Sequence, residues 1–115
     1  MEQDCLFCKI IKREIPASIV HEDEETMAFD DIKPQAPVHI IIIPKKHIEK
    51  ISDIKDKDST ITARLVSAGN KIAREKKLTG SGYRFVINCN KDAGQEVFHI
   101  HMHLLGGRKM GWPPG

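Results

Sequence analysis

The stretch that decides the fold is Phe98-His99-Ile100-His101-Met102-His103-Leu104-Leu105. Polar and apolar side chains alternate through it, the period of an extended strand, whose successive side chains point to opposite faces. His99, His101 and His103 therefore share one face, and Ile100, Met102 and Leu104 the other. The pattern predicts a β-strand with core on one side and chemistry on the other. Alternate residues lie about 6.6 to 6.8 Å apart along a strand, close enough for neighbouring imidazoles to meet one ligand. Two chemistries fit. His-x-His on a strand is a common way to hold zinc. Alternatively, one neutral imidazole attacks an electrophile while its neighbour holds a leaving group or phosphate oxygens. The triplet alone leaves both open.

Working outward, Tyr83 to Asn88 reads as a neighbouring strand, separated from the histidine run by the turn-rich Asn90-Lys91-Asp92-Ala93-Gly94. Between Asp56 and Lys77 the residues Ile61, Leu65, Ala68 and Ile72 recur at helical spacing, with Asp58 or Ser59 to cap the start and Gly80 or Gly82 to release the chain. His39 to Ile43 is a β-branched run ended by Pro44. Ala17 to His21 and Thr26 to Phe29 read as two short strands around an acidic turn, and the two prolines of Lys33-Pro34-Gln35-Ala36-Pro37 make that segment a loop. Leu6 to Ile11 reads as a short helix that stops by Pro16. The expected class is α+β: an antiparallel sheet of about five strands, one long helix and a short N-terminal helix. Residues 1–115 form a single domain, with 1–16 as an arm and 106–115 as a tail.

The chain has 115 residues, 40% of them hydrophobic and 30% charged, with a formal net charge of +2. That charge is too small to mark a nucleic-acid surface, so any phosphate must be met locally. The longest apolar run, Val38 to Ile43, is interrupted by His39 and is too short to span a bilayer. Met1-Glu2-Gln3-Asp4 lacks the basic start and apolar stretch of a signal peptide, and the expected location is the cytoplasm. Three cysteines are an odd set. In a reducing compartment Cys5 and Cys8 read as a metal clip or free thiols rather than a structural disulfide, and Cys89 as a small, partly buried hydrophobe.

Nearly the full length of the chain resembles the histidine triad (HIT) superfamily, and within it the histidine triad nucleotide-binding proteins. The resemblance is carried by Phe29-Asp30-Asp31-Ile32, Pro34-Gln35-Ala36-Pro37, Ile43-Pro44-Lys45-Lys46-His47, Asn88, Gly94 through Gly107, and the ending Gly111-Trp112-Pro113-Pro114-Gly115. It implies a HIT-like domain whose sheet continues across a homodimer. It also implies a purine nucleoside phosphoramidate hydrolase, adenosine 5′-monophosphoramidase-like, that releases a nucleoside monophosphate from AMP or GMP derivatives.

In that reading His101 attacks the α-phosphorus and His103 binds phosphate oxygens, while His47 and His99 support the site. Asp31 accepts hydrogen bonds from the ribose hydroxyls. Phe29 and Ile32 flank the base. Asn88, Gly94, Gln95 and Glu96 surround the phosphate and leaving group, with backbone N–H groups of the Gly-Gln loop as donors. Trp112 would reach toward the partner subunit's substrate site.

Some members with the N-terminal cysteine pair bind zinc through ligands matching Cys5, Cys8, His47 and His99. A structural zinc is therefore implied, and no organic cofactor, nucleic acid or membrane. The chain departs from the pattern at Glu96, which is serine in some close relatives. A carboxylate there repels a phosphate unless it is protonated, turned outward or engaged with a cation. The competing functions are a nucleotide-binding adaptor with incidental turnover and a zinc-dependent hydrolase that uses all three histidines as ligands.

Overall fold

The computed structural model describes residues 4–115. The Met1 to Gln3 part of the N-terminal reading lies outside these residues. In chain order the elements are α1 (Leu6–Ile11), β1 (Ile19–Glu22), β2 (Thr26–Asp30), β3 (Val38–Pro44), α2 (Thr60–Glu75), β4 (Tyr83–Val86) and β5 (Met102–Gly106). The five strands form one antiparallel sheet, as expected, and their order is β1-β2-β3-β5-β4. Among the described residues no helix is long and apolar enough to cross a membrane.

β3 is central, and its sequence shows why. Ile40 and Ile42 face one side and pack under Leu65, Ala68 and Ile72 of α2, together with Ala28, Met102 and Leu104. Ile41 and Ile43 face the other side and pack with Met27, Phe29 and the α1 residues Phe7 and Ile10. A strand buried on both faces reads as a continuous apolar run rather than an alternating one. Each such isoleucine contributes about 1.5 to 3 kcal/mol by leaving water. Gly69 lets α2 lie close to the sheet, since a Cβ there would stand 2.7 Å from the Phe85 ring.

Several boundaries differ from the sequence reading: β1 runs over Ile19–Glu22 rather than Ala17 to His21, β4 stops at Val86 rather than Asn88, and the following differences have a hydrogen-bonding reason. The histidine strand begins at Met102 rather than Phe98; His99 lies in a bend and His101 in irregular chain before it. Ladder pairing cannot reach them, because His99 O accepts from the His101 ring and Ile100 N donates to Ile48 O. Alternation persists nonetheless, with Ile100 buried in the α2-side core. Helix α2 starts at Thr60, and Ser59 makes no side-chain cap bond. Asp58 pairs instead with Lys46 Nζ at 2.6 Å. The helix is released by Lys77 at φ +60°, not by a glycine: Leu78 N donates back to Ala73 O at 2.9 Å and Lys77 N to Arg74 O, closing a Schellman turn.

Candidate active site and metal cluster

On the α1 side of the sheet the three histidines meet different partners, and those partners decide the tautomer of each ring. A carbonyl oxygen only accepts, so a ring nitrogen bonded to one must carry the proton. His101 Nδ1 lies 2.9 Å from His99 O, so Nδ1 is protonated and Nε2 keeps its lone pair. His99 Nε2 lies 2.7 Å from Pro44 O, so there the proton sits on Nε2 and the lone pair on Nδ1. Two rings two residues apart therefore present opposite nitrogens. His101 is edge-on to Phe7 at 5.1 Å between ring centroids and to His103 at 5.0 Å.

Burial lowers the pKa of His101, opposed by its bond to His99 O and by the charges of Asp31 and Glu96. His103 is pushed down to about 4, first by burial and then by the neighbouring His101 and His39 rings. Both rings are thus neutral at pH 7, the state a nucleophile or a neutral donor needs. A histidine with a lowered folded pKa takes up its proton more readily when unfolded. Its protonation therefore costs stability as pH falls from about 6.5 toward about 4. Thermal melts across that window are expected to show Tm falling, with a shallower slope in His103→Asn; equal slopes would remove His103 as a source.

The lone pair of His99 points into a second constellation. Cys5 Sγ stands 3.4 Å from His99 Nδ1, Cys8 Sγ 3.6 Å from His99 Nδ1 and 3.3 Å from His47 Nδ1, and the two Nδ1 atoms are 3.1 Å apart. Tetrahedral zinc with Zn–S near 2.3 Å and Zn–N near 2.05 Å requires edges of roughly 3.3 to 3.8 Å. The four donors fit that polyhedron with little contraction, and they form a group able to hold a metal ion. His99 also hands its other N–H to a backbone carbonyl, as metal-bound histidines commonly do. Cys5 and Cys8 come from the start of α1, so a metal here ties the arm to the sheet.

The three histidines consequently do not share one cation position. His99 groups with the cysteines, His103 groups with Asp31 and His39, and His101 belongs to neither group. This removes the arrangement required by a zinc hydrolase with all three as ligands.

His39 is the site residue that sequence reasoning missed. Buried on β3, its Nε2 lies 2.9 Å from His103 Nδ1 and 3.4 Å from Asp31 Oδ2. The available signal was a single imidazole inside a strand that is otherwise apolar on both faces.

The remaining predicted positions sort as follows. Asp31 uses Oδ1 to accept from Lys33 N at 2.7 Å, a turn cap, and directs Oδ2 toward His39. Phe29 is buried behind Phe7, edge-on at 5.5 Å, whereas Ile32 is 92% exposed. Asn88 is half-buried, and its side-chain amide has no bond to protein among the described residues. Gly94 N and Gln95 N are already committed to Lys91 O and Asn90 O. The Gln95 side chain clamps the loop, accepting from Asn90 N and donating to Glu49 O and Val97 O. The loop donors left without an internal partner among the described residues are Glu96 N and Val97 N, next along the chain from the expected pair.

Glu96 is exposed and lines a groove of 260 Å³ with Asp4, Glu49, Leu6 and Phe98, so its carboxylate is turned outward. Cys89 is half-buried, its thiol held low mainly by hydrogen bonding to Ser52. A larger concavity of 310 Å³ lies at the start of α2, lined by paired charges such as Lys46 and Asp58 and by none of the histidines.

A small α+β domain with one bare imidazole nitrogen, a neutral imidazole beside it and unengaged loop N–H groups is built to handle an electrophilic, oxygen-rich centre. Comparison places it within a family. A model of the HIT domain matches residues 12–110, and the chain belongs to the HIT domain family. It is 46% identical over 111 residues to a protein of Escherichia coli strain K12 named purine nucleoside phosphoramidase, covering 96% of this chain and 93% of that one. Among solved structures, a HIT family hydrolase from Legionella pneumophila Philadelphia 1 superposes with a TM-score of 0.95 at 55% identity, covering 97% of this chain and 100% of the other. A HIT family hydrolase from Clostridium thermocellum gives 0.93 at 49% identity, covering 95% of each chain.

Proposed function

We propose that this protein hydrolyses purine nucleoside 5′-phosphoramidates through a nucleotidyl-histidine on His101. The observation that carries the reading is the His101 Nδ1–H to His99 O bond, which leaves the Nε2 lone pair as the attacking atom. The name of the E. coli relative supplies the substrate class. Nε2 forms a bond to the α-phosphorus as the P–N bond breaks, and the departing amine takes a proton from solvent. Water then attacks phosphorus and gives a proton to solvent as the Nε2–P bond breaks, and the nucleoside monophosphate leaves with His101 restored. His103, Glu96 N and Val97 N meet the phosphate oxygens, Asn88 lies toward the leaving group, and Asp31 Oδ2 accepts from the ribose. Phe29, Phe7 and Ile32 line the base side.

Zinc at Cys5, Cys8, His47 and His99 is structural in this reading, and no organic cofactor takes part. The working form is a homodimer joined along the exposed edge of β4. Half-buried Tyr83 and Phe85 lie on that strand, and Arg84 holds the tail carrying the exposed Trp112 by donating to Gly111 O at 2.9 Å. Light scattering is expected to give twice the chain mass; a monomer at micromolar concentration contradicts this assembly.

The deciding experiment mixes enzyme with adenosine 5′-phosphoramidate, quenches in alkali, where a phosphorus–imidazole bond persists, and maps the adduct by mass spectrometry. AMP mass on the peptide at His101 is the expected result. Turnover with no adduct, or with the adduct on His99 or His103, overturns it.

A further inference from the structure

We propose that the concavity at the start of α2 is a second anion site, which takes a phosphate group, free or as a monoester, on the face of the sheet opposite the histidines. The site is independent of the phosphoramidate reading, since none of the residues assigned there to the nucleotide lines this concavity.

One wall is a threonine. In β2, Met27 packs on the α1 side and Ala28 on the α2 side, so Thr26, two residues before Ala28, points toward α2. Thr26 is 2% exposed and lines the concavity. Its backbone is committed, N–H to Asp23 Oδ1 and C=O to Asp23 N, each at 2.9 Å. Its hydroxyl pairs with no protein group among the described residues. No fully enclosed polar side-chain atom among them lacks a partner, so this hydroxyl opens onto the concavity. A nearly buried hydroxyl without an internal partner costs free energy unless something in that space answers it.

The facing wall is the start of α2, whose first two residues, Thr60 and Ile61, line the same space. The opening N–H groups of a helix have no intrahelical acceptor, and the Ser59 side chain makes no cap bond to them. On a helix of 16 residues they also carry the positive end of the dipole, which favours an anion. Asp58, the nearest carboxylate in sequence, is engaged by Lys46 Nζ at 2.6 Å.

The charges between the walls are arranged to leave donors free. Lys46 and Arg64 each meet one carboxylate, Asp58 and Glu25, but an ammonium has three donors and a guanidinium five, so both keep some to spare. Arg64 lies one turn after Thr60 on the same face of α2. Exposed Lys57, also in the lining, pairs with no carboxylate among the described residues. Against these stands Glu24, in the exposed turn between β1 and β2. A hydroxyl, two helix N–H groups and three cationic side chains exceed what the two oxygens of a carboxylate can accept. They suit the three terminal oxygens of a phosphate monoester.

The test follows backbone amides of isotope-labelled protein by NMR during titration with inorganic phosphate, and in a second arm with ribose 5-phosphate, each against sodium chloride at matched ionic strength. The Thr60 and Ile61 amides should shift saturably with phosphate and not with chloride, while Glu96 and Val97 report separately on phosphate at the histidines. Thr26→Val keeps the side-chain shape and removes the hydroxyl. It should raise the apparent Kd read at α2 about fivefold or more, and Thr26→Ser should restore most of the affinity. Lys57→Gln should raise that Kd about threefold, with the Glu96 and Val97 response unchanged in every variant. Tighter binding of inorganic phosphate assigns the free ion, and tighter binding of ribose 5-phosphate a monoester. Shifts at Thr60 and Ile61 that stay linear, or that chloride reproduces, overturn the proposal on the parent alone. So does a Kd that folded Thr26→Val leaves unchanged or, should valine not fold, one that Lys57→Gln leaves unchanged.

Discussion

His101→Ala is expected to lose phosphoramidase turnover by roughly 10⁴-fold or more while binding AMP with near-parent affinity, measured by single-turnover kinetics and calorimetry. The size of the effect follows from what remains. Alanine removes the only ring in the triplet whose bare nitrogen is directed neither into the cysteine cluster nor against another imidazole. His103, Asp31 and the Glu96 and Val97 N–H groups stay in place to hold the nucleotide, so ground-state binding should survive. His101 lies edge-on to Phe7 rather than within the α2-side core, and its loss should leave Tm within a few degrees. A variant retaining more than about a tenth of the rate would show that another group forms the bond to phosphorus.

The second large effect is on stability. Stripping metal with a strong chelator, or replacing Cys8 by serine, is expected to lower Tm by roughly 12 to 24 °C. A ligand held at a thousandfold excess over its Kd stabilises by about 4 kcal/mol, and domains near this size shift by roughly 3 to 6 °C per kcal/mol. The cluster joins the first turn of α1 to His47, just after β3, and to His99, ahead of β5, so without the ion α1 keeps only its apolar contacts. Metal analysis of untreated protein should give about one zinc per chain. Turnover at a temperature where both forms are folded should drop less than tenfold, because the nucleophile lies outside the donor set. An unchanged Tm after verified metal removal contradicts the structural role; complete loss of activity in folded, metal-free protein returns the metal to catalysis.

Much of this molecule is legible in its sequence because the decisive signals are periodic. Ile61, Leu65, Ala68 and Ile72 mark α2, and the alternation from His99 to Leu104 separates a chemical face from a core face. What periodicity misses is where local hydrogen bonding overrides it. β5 loses its first turn of ladder to a ring–carbonyl bond, α2 ends on a lysine in a left-handed conformation, and the Gly94 and Gln95 N–H groups turn inward to close their own turn. The resemblance in residues placed Phe29, Asp31 and Asn88 near the histidines but gave no cue to His39, whose importance comes from a partner 64 positions away.

The sequence by itself determined the α+β class, the shared face of three imidazoles and a thiol pair ahead of them, since each depends on spacing along one segment. Only the tertiary structure decided which nitrogen of each imidazole carries the proton. A ring nitrogen's proton goes where its partner requires. The partners are Pro44 O for His99, the chain's own His99 O for His101, and His39, fixed by Gln35 N, for His103. Three identical side chains in one repeating pattern thus present different nitrogens to their surroundings, because the fold surrounds each with a different acceptor or donor.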